Sequence, residues 1–103
     1  MLFRSAYITT SQGKVMALDT GTGSTRWSVD LKMDITAAPT VAGTSVLIGT
    51  KSGVVFGLEA NTGEVLWEFR AASEISGSPI VVGATMYVVS FEGTLYAVTW
   101  ADQ

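Results

Sequence analysis

"GVVFGLEANTGEVLW", residues 53–67, repeats "GKVMALDTGTGSTRW", residues 13–27, at an offset of forty positions. A third version, "GTLYAVTWADQ", begins at Gly93 and runs to Gln103. The shift extends well beyond these phrases. Thr10, Gly13, Val15 and Leu18 fall on Thr50, Gly53, Val55 and Leu58. Thr22, Gly23 and Trp27 fall on Thr62, Gly63 and Trp67, and Ile35, Pro39, Val41 and Gly43 on Ile75, Pro79, Val81 and Gly83. Tyr7, Leu47 and Tyr87 share one position, as do Met16, Phe56 and Tyr96. One structural unit is therefore written about two and a half times.

Each period divides into short β-rich segments separated by glycine turns. In the middle period the pattern predicts strands at Pro39–Ala42, Ser45–Thr50, Val54–Ala60 and Val65–Arg70. Gly43-Thr44, Ser52-Gly53 and Thr62-Gly63 separate them. No helical periodicity is present, and the loops are too short for βαβ crossovers. Four antiparallel strands in roughly forty residues are the blade of a β-propeller. The expectation is an all-β partial propeller with three strands, then four, then three. Its blade pieces fall at about 6–30, 38–70 and 78–100.

Composition agrees with a globular β protein. Of 103 residues, 48% are hydrophobic, 15% are charged and eleven are glycine. The net charge is −3, and the cations Arg4, Lys14, Arg26, Lys32, Lys51 and Arg70 are scattered, which points away from nucleic acid. No segment has the length of a membrane span. The most apolar stretch, Ser78–Phe91, is interrupted by Gly83 and Thr85 and reads as a hairpin. With no cysteine and no histidine, Ser–His–Asp and Cys–His chemistry and most zinc sites are absent. Gly13-Lys14 lacks the upstream glycine of a phosphate loop, and Gly21–Gly23 lacks the third glycine of a dinucleotide motif.

The repeated residues have physical tasks. Gly13, Gly53 and Gly93 open the third strand of each unit, where a tight turn calls for positive φ. Thr22-Gly23 and Thr62-Gly63 close the hairpin to the fourth strand. Asp19 and Glu59 precede that turn and are placed to accept from free backbone N–H groups. Pro39 and Pro79 start the innermost strand, where a missing N–H is tolerated. Trp27 and Trp67 fall on the outermost strand, where a large flat ring can lie across the seam to the next unit. Truncating Trp67 to Ala is expected to cost about 3–5 kcal/mol. Tyr7, Phe56, Tyr87 and Tyr96 read as packing residues. Phe91 sits in a turn where the other copies carry Ser11 and Lys51, and is expected to be exposed. Trp100 aligns with Thr20 and Ala60, so it does not correspond to Trp27 and Trp67.

The pattern Ala-x-Asp-x-x-Thr-Gly-x-x-x-Trp resembles the tryptophan-docking signature of the PQQ-like (pyrroloquinoline-quinone-type) propeller repeat, a relation of the WD40-like architectures. Ala17, Asp19, Thr22, Gly23 and Trp27 match it in full. In the second copy Gly57 replaces Ala and Glu59 replaces Asp, followed by Thr62, Gly63 and Trp67. The third copy departs, with Thr99 in place of the acid. The resemblance implies blade-docking roles for these residues and no catalytic, cofactor or metal residue.

The resemblance also implies a scaffold that binds a protein partner, as in the extracytoplasmic, periplasmic lipoproteins that help assemble outer-membrane barrels, with no cofactor. Its alternative is a piece of a quinoprotein alcohol or sugar dehydrogenase, holding pyrroloquinoline quinone and calcium. That enzyme class often carries adjacent cysteines, absent here, and none of the nine carboxylates can be assigned to a calcium set. Asp30, Asp34, Glu74 and Glu92 are expected in loops as solvated charges. Asp34 and Glu74 share one repeat position, which favours a structural role. A closed propeller needs roughly four to eight blades. The chain therefore reads as a piece of a longer protein whose other blades cover its ends. Self-association or a covering partner are the alternatives. Leu2–Ser5 also matches adapter-encoded sequence, so residues 1–5 read as non-native.

Overall fold

Ten strands and no helix make up the computed structural model, which describes residues 5–35 and 37–99. They are β1 (Ser5–Thr9), β2 (Lys14–Asp19), β3 (Thr25–Asp30), β4 (Thr40–Ala42), β5 (Ser45–Gly49), β6 (Val54–Glu59), β7 (Val65–Arg70), β8 (Ile80–Val82), β9 (Thr85–Val89) and β10 (Leu95–Thr99). Three antiparallel sheets result, ordered β1-β2-β3, β4-β5-β6-β7 and β8-β9-β10. These are blades 1, 2 and 3 of a partial propeller. The expected division into three, four and three strands holds, as do the four strands of the middle blade to within a residue at their ends. Ser5 belongs to β1 and pairs with Asp19. The remainder of the segment read as non-native, residues 1–4, lies outside the described residues, as does Trp100.

Equivalent strands pair in the same register. Tyr7 pairs with Ala17 and Leu47 with Gly57, and a bulge follows each partner at Ala17/Leu18 and Gly57/Leu58. Alternation then sends successive side chains to opposite faces of each blade. The leading face of a blade looks at the preceding blade, and the trailing face at the next. Val46, Ile48, Phe56 and Leu58 of blade 2 meet Val15, Ala17 and Trp27 of blade 1 in one buried core. Leu47 and Val55, on the opposite face of blade 2, meet Met86 and Val88 of blade 3 in a second. Blade 2 is covered on both sides, which is why all of β5 is buried.

The connections from one outer strand to the next inner strand are stitched by backbone bonds in repeat register. Ile35 bridges to Thr50 and Ile75 to Ser90. The Asp34 carbonyl accepts from the Lys51 N–H at 2.8 Å, and the Glu74 carbonyl from the Phe91 N–H at 2.6 Å. Nearer the axis, the Thr40 hydroxyl donates to the Pro79 carbonyl at 2.5 Å and the Ser78 hydroxyl to the Ala38 carbonyl at 2.9 Å. Pro39 and Pro79 immediately precede β4 and β8 instead of opening them. Among the described residues no helix is long and apolar enough to cross a membrane.

Candidate functional site

The seam between blades 1 and 2 is where the repeated motif residues converge. Trp27 projects from β3 and is 9% exposed. Its indole Nε1–H donates to the Ala60 carbonyl of blade 2 at 2.8 Å. The Tyr7 hydroxyl donates to the same carbonyl at 3.3 Å, and the two rings lie 6.0 Å apart. The ring of Trp27 also packs against Gly63, where an added Cβ would come within 2.5 Å of it. Gly63 has φ +80°, so two separate demands select glycine there. The result is a buried joint of one indole, one carbonyl and one glycine.

Trp67, the counterpart on β7, is half-buried and sits differently. Its ring occupies the space a methyl group would take on Gly57, only 2.3 Å from an ideal Cβ there. Ala17, the register partner of Trp27, carries that methyl, and Trp67 itself packs against the core shared with blade 3. The positions forty residues beyond Ala60 and Gly63 are Trp100 and Gln103, outside the described residues.

The turns before each tryptophan are held as their sequence suggests. Asp19 Oδ1 accepts from the N–H groups of Gly21 at 2.7 Å and Thr22 at 3.4 Å. Glu59 Oε1 accepts from Asn61 at 3.0 Å. The hydroxyls of Thr22 and Thr62 accept from the N–H groups of Ser24 and Glu64, each at 3.2 Å. Gly13, Gly53 and Gly93 stand before β2, β6 and β10 with φ of 109°, 87° and 94°. Of these, Gly53 shows why size matters as well: a Cβ would meet the Ser73 carbonyl at 2.6 Å.

The remaining candidates separate. Phe91 is 75% exposed in its turn. Phe56 is buried, Tyr96 packs edge-on to Phe69 at 5.4 Å, and Tyr87 is exposed on the trailing face of blade 3. Asp30 ends β3 instead of lying in a loop, whereas Asp34, Glu74 and Glu92 do lie in loops or turns. Among the described residues no three His, Cys, Asp or Glu side chains come together in a way that could hold a metal ion. Asp19 and Glu59 are engaged by turn amides. A cavity of about 430 Å³ opens between blades 1 and 2, lined by Ser5, Tyr7, Arg26, Val41, Ala60 and Asn61 among others. Val41 is 54% exposed there because no inner strand lies beside β1 among the described residues. Sequence reading missed the Ala60 carbonyl and the Tyr7 hydroxyl as joint members. A carbonyl acceptor leaves no mark in residue identity, and the tyrosine reads only as packing.

Comparison with solved structures returns the same architecture. BamB from Moraxella catarrhalis superposes with a TM-score of 0.83 at 31% identity, over 92% of this chain and 30% of that one. The computationally designed Ika4 protein gives 0.85 at 18% identity, over 98% of this chain and 63% of that one. A europium-containing methanol dehydrogenase gives 0.79 at 22% identity, over 92% of this chain and 21% of that one. The last two likenesses speak to the fold alone. The chain spans about a third of the length of that BamB chain. A comparison with curated protein sequences gives no match. The family model described as outer membrane protein assembly factor BamB matches residues 11–102. The chain thus belongs to that family of PQQ-like propeller repeats.

Proposed function

We propose that this chain is part of a larger extracytoplasmic propeller that binds protein partners without catalysis, in the manner of an outer-membrane protein assembly factor. The observation that carries the reading is the match of residues 11–102 to the assembly-factor family, together with 31% identity to a BamB. The motif residues support it by their tasks. Trp27, Gly63, Asp19 and Glu59 serve blade docking and turn formation, which leaves loops and turns to meet a partner. Phe91, exposed in such a turn, is the described aromatic most available for contact.

The second reading is a piece of a quinoprotein dehydrogenase. The likeness to methanol dehydrogenase supports it as far as fold. No described residue is assigned to quinone or calcium, so it would depend on blades beyond this segment.

The test is complementation. A Gram-negative strain lacking its own BamB-type factor receives the longer protein that contains this segment. Restored outer-membrane protein levels support the proposal. Unchanged levels, with the protein exported and folded, contradict it.

A further inference from the structure

The turns joining β1 to β2, β5 to β6 and β9 to β10 stand at one end of the blades, with the loops from β3 to β4 and from β7 to β8. Each seam therefore has a corner where a turn meets a loop. At the seam of blades 1 and 2 the Lys51 N–H donates to the Asp34 carbonyl, and at the seam of blades 2 and 3 the Phe91 N–H donates to the Glu74 carbonyl. The backbones match and the side chains do not. The first corner carries Asp34, Lys51 and Ser52; the second carries Glu74, Phe91 and Glu92 at the same repeat positions. The acid is kept, an aromatic ring stands in place of the cation, and a second acid is added. The first corner thus balances its charge, whereas the second holds two carboxylates and no cation. Among the described residues the side chains of Glu74 and Glu92 have no ion-pair or hydrogen-bond partner, and Arg70, the cation nearest in sequence, pairs with Glu68 at 3.3 Å.

Phe91 is 75% exposed, and the end of the segment is not the reason. Ser11 and Lys51, at the same repeat position, are exposed as well, although the loop that follows each of their blades is in place. A blade after blade 3 leaves this position outside the seam in the same way. We propose that the corner of Phe91, Glu74 and Glu92 docks an arginine-bearing segment of a protein partner. This rests on the binding role given above and names the chemistry of one contact. A guanidinium answers all three residues together: its plane stacks on the Phe91 ring while its N–H groups meet a carboxylate beside the ring. Lysine suits the corner less, because a compact and strongly hydrated ammonium does not stack. An acidic segment would meet like charge, and a purely apolar one would strip water from two unpaired carboxylates.

Site-specific crosslinking tests this on the longer protein that contains the segment, produced in a Gram-negative strain. The photo-reactive analogue p-benzoylphenylalanine replaces Phe91, and in a separate variant Asn61, exposed at the opposite end of the blades. Mass spectrometry then reads the crosslinked peptide. The expected result is a crosslink to one protein from position 91, through a peptide that contains arginine. Glu92→Lys should lower its yield about tenfold or more, and Glu92→Asp should keep most of it. Glu92 is exposed, so the fold should survive, with circular dichroism of the purified protein as the check. If Glu92→Lys does not fold, Glu92→Gln carries the same comparison. A crosslinked peptide without arginine overturns the proposal, as does a yield insensitive to the change at Glu92. A crosslink from position 61 with none from 91 also overturns it and leaves the binding role standing. Failed complementation beside the expected crosslink from 91 counts against the assembly role alone.

Discussion

Trp27 and Gly63 form a joint whose parts can be separated by substitution. Trp27→Ala removes a buried indole and should cost about 3–5 kcal/mol in chemical denaturation. Trp27→Phe keeps most of the ring and deletes the bond to Ala60, a loss of about 1 kcal/mol. The Tyr7 hydroxyl limits that loss, because it donates to the same carbonyl. Gly63→Ala and Gly23→Ala impose the same backbone strain, since φ is 80° and 78°. That strain amounts to about 1–3 kcal/mol in either case. Only the first also drives a methyl group into the Trp27 ring. Gly63→Ala should therefore destabilise clearly more than Gly23→Ala, and equal losses would refute the seating of Trp27 on Gly63. Trp67→Ala should cost less than Trp27→Ala, because Trp67 is only half-buried here. The motif spacing identifies both tryptophans but cannot tell them apart. Their register partners differ, Ala17 with a methyl and Gly57 with none.

At the level of strands, burial ranks the blades. Every residue of β5 is buried, and five of the six in β6 are, whereas β10 alternates between exposed and half-buried. Amide hydrogen exchange should accordingly be slowest in β5 and β6 and fastest in β8 and β10. Uniform protection across the three blades would contradict two seams built around a central blade. Most of this layer was legible. The repeat of Thr10–Leu18 on Thr50–Leu58 placed the strands, and Gly43, Gly53 and Gly63 placed the turns. The bulges after Ala17 and Gly57 were not legible, because an extra backbone residue leaves no distinct pattern in a short strand. Phe91 was legible as exposed because it breaks the register of Ser11 and Lys51. Tyr87 was not: its apolar neighbours mark it as packing, and only the assembled blades show that its face is uncovered.

Across the whole molecule, each blade is a sheet with two apolar faces, and neither face is stable in water without a neighbour. That single fact explains the two buried cores. It also explains why fold is more legible than function here. Packing recurs every forty residues and is written several times over, whereas the turns, to which the proposed function assigns partner binding, vary between copies. The proposed function has this propeller bind protein and do no quinone chemistry. The most direct measurement is reconstitution of the longer purified protein with pyrroloquinoline quinone and calcium, followed by desalting, absorbance and an alcohol-dependent dye-reduction assay. The account predicts no retained quinone and no turnover. Stoichiometric retained quinone with alcohol-dependent reduction would contradict it.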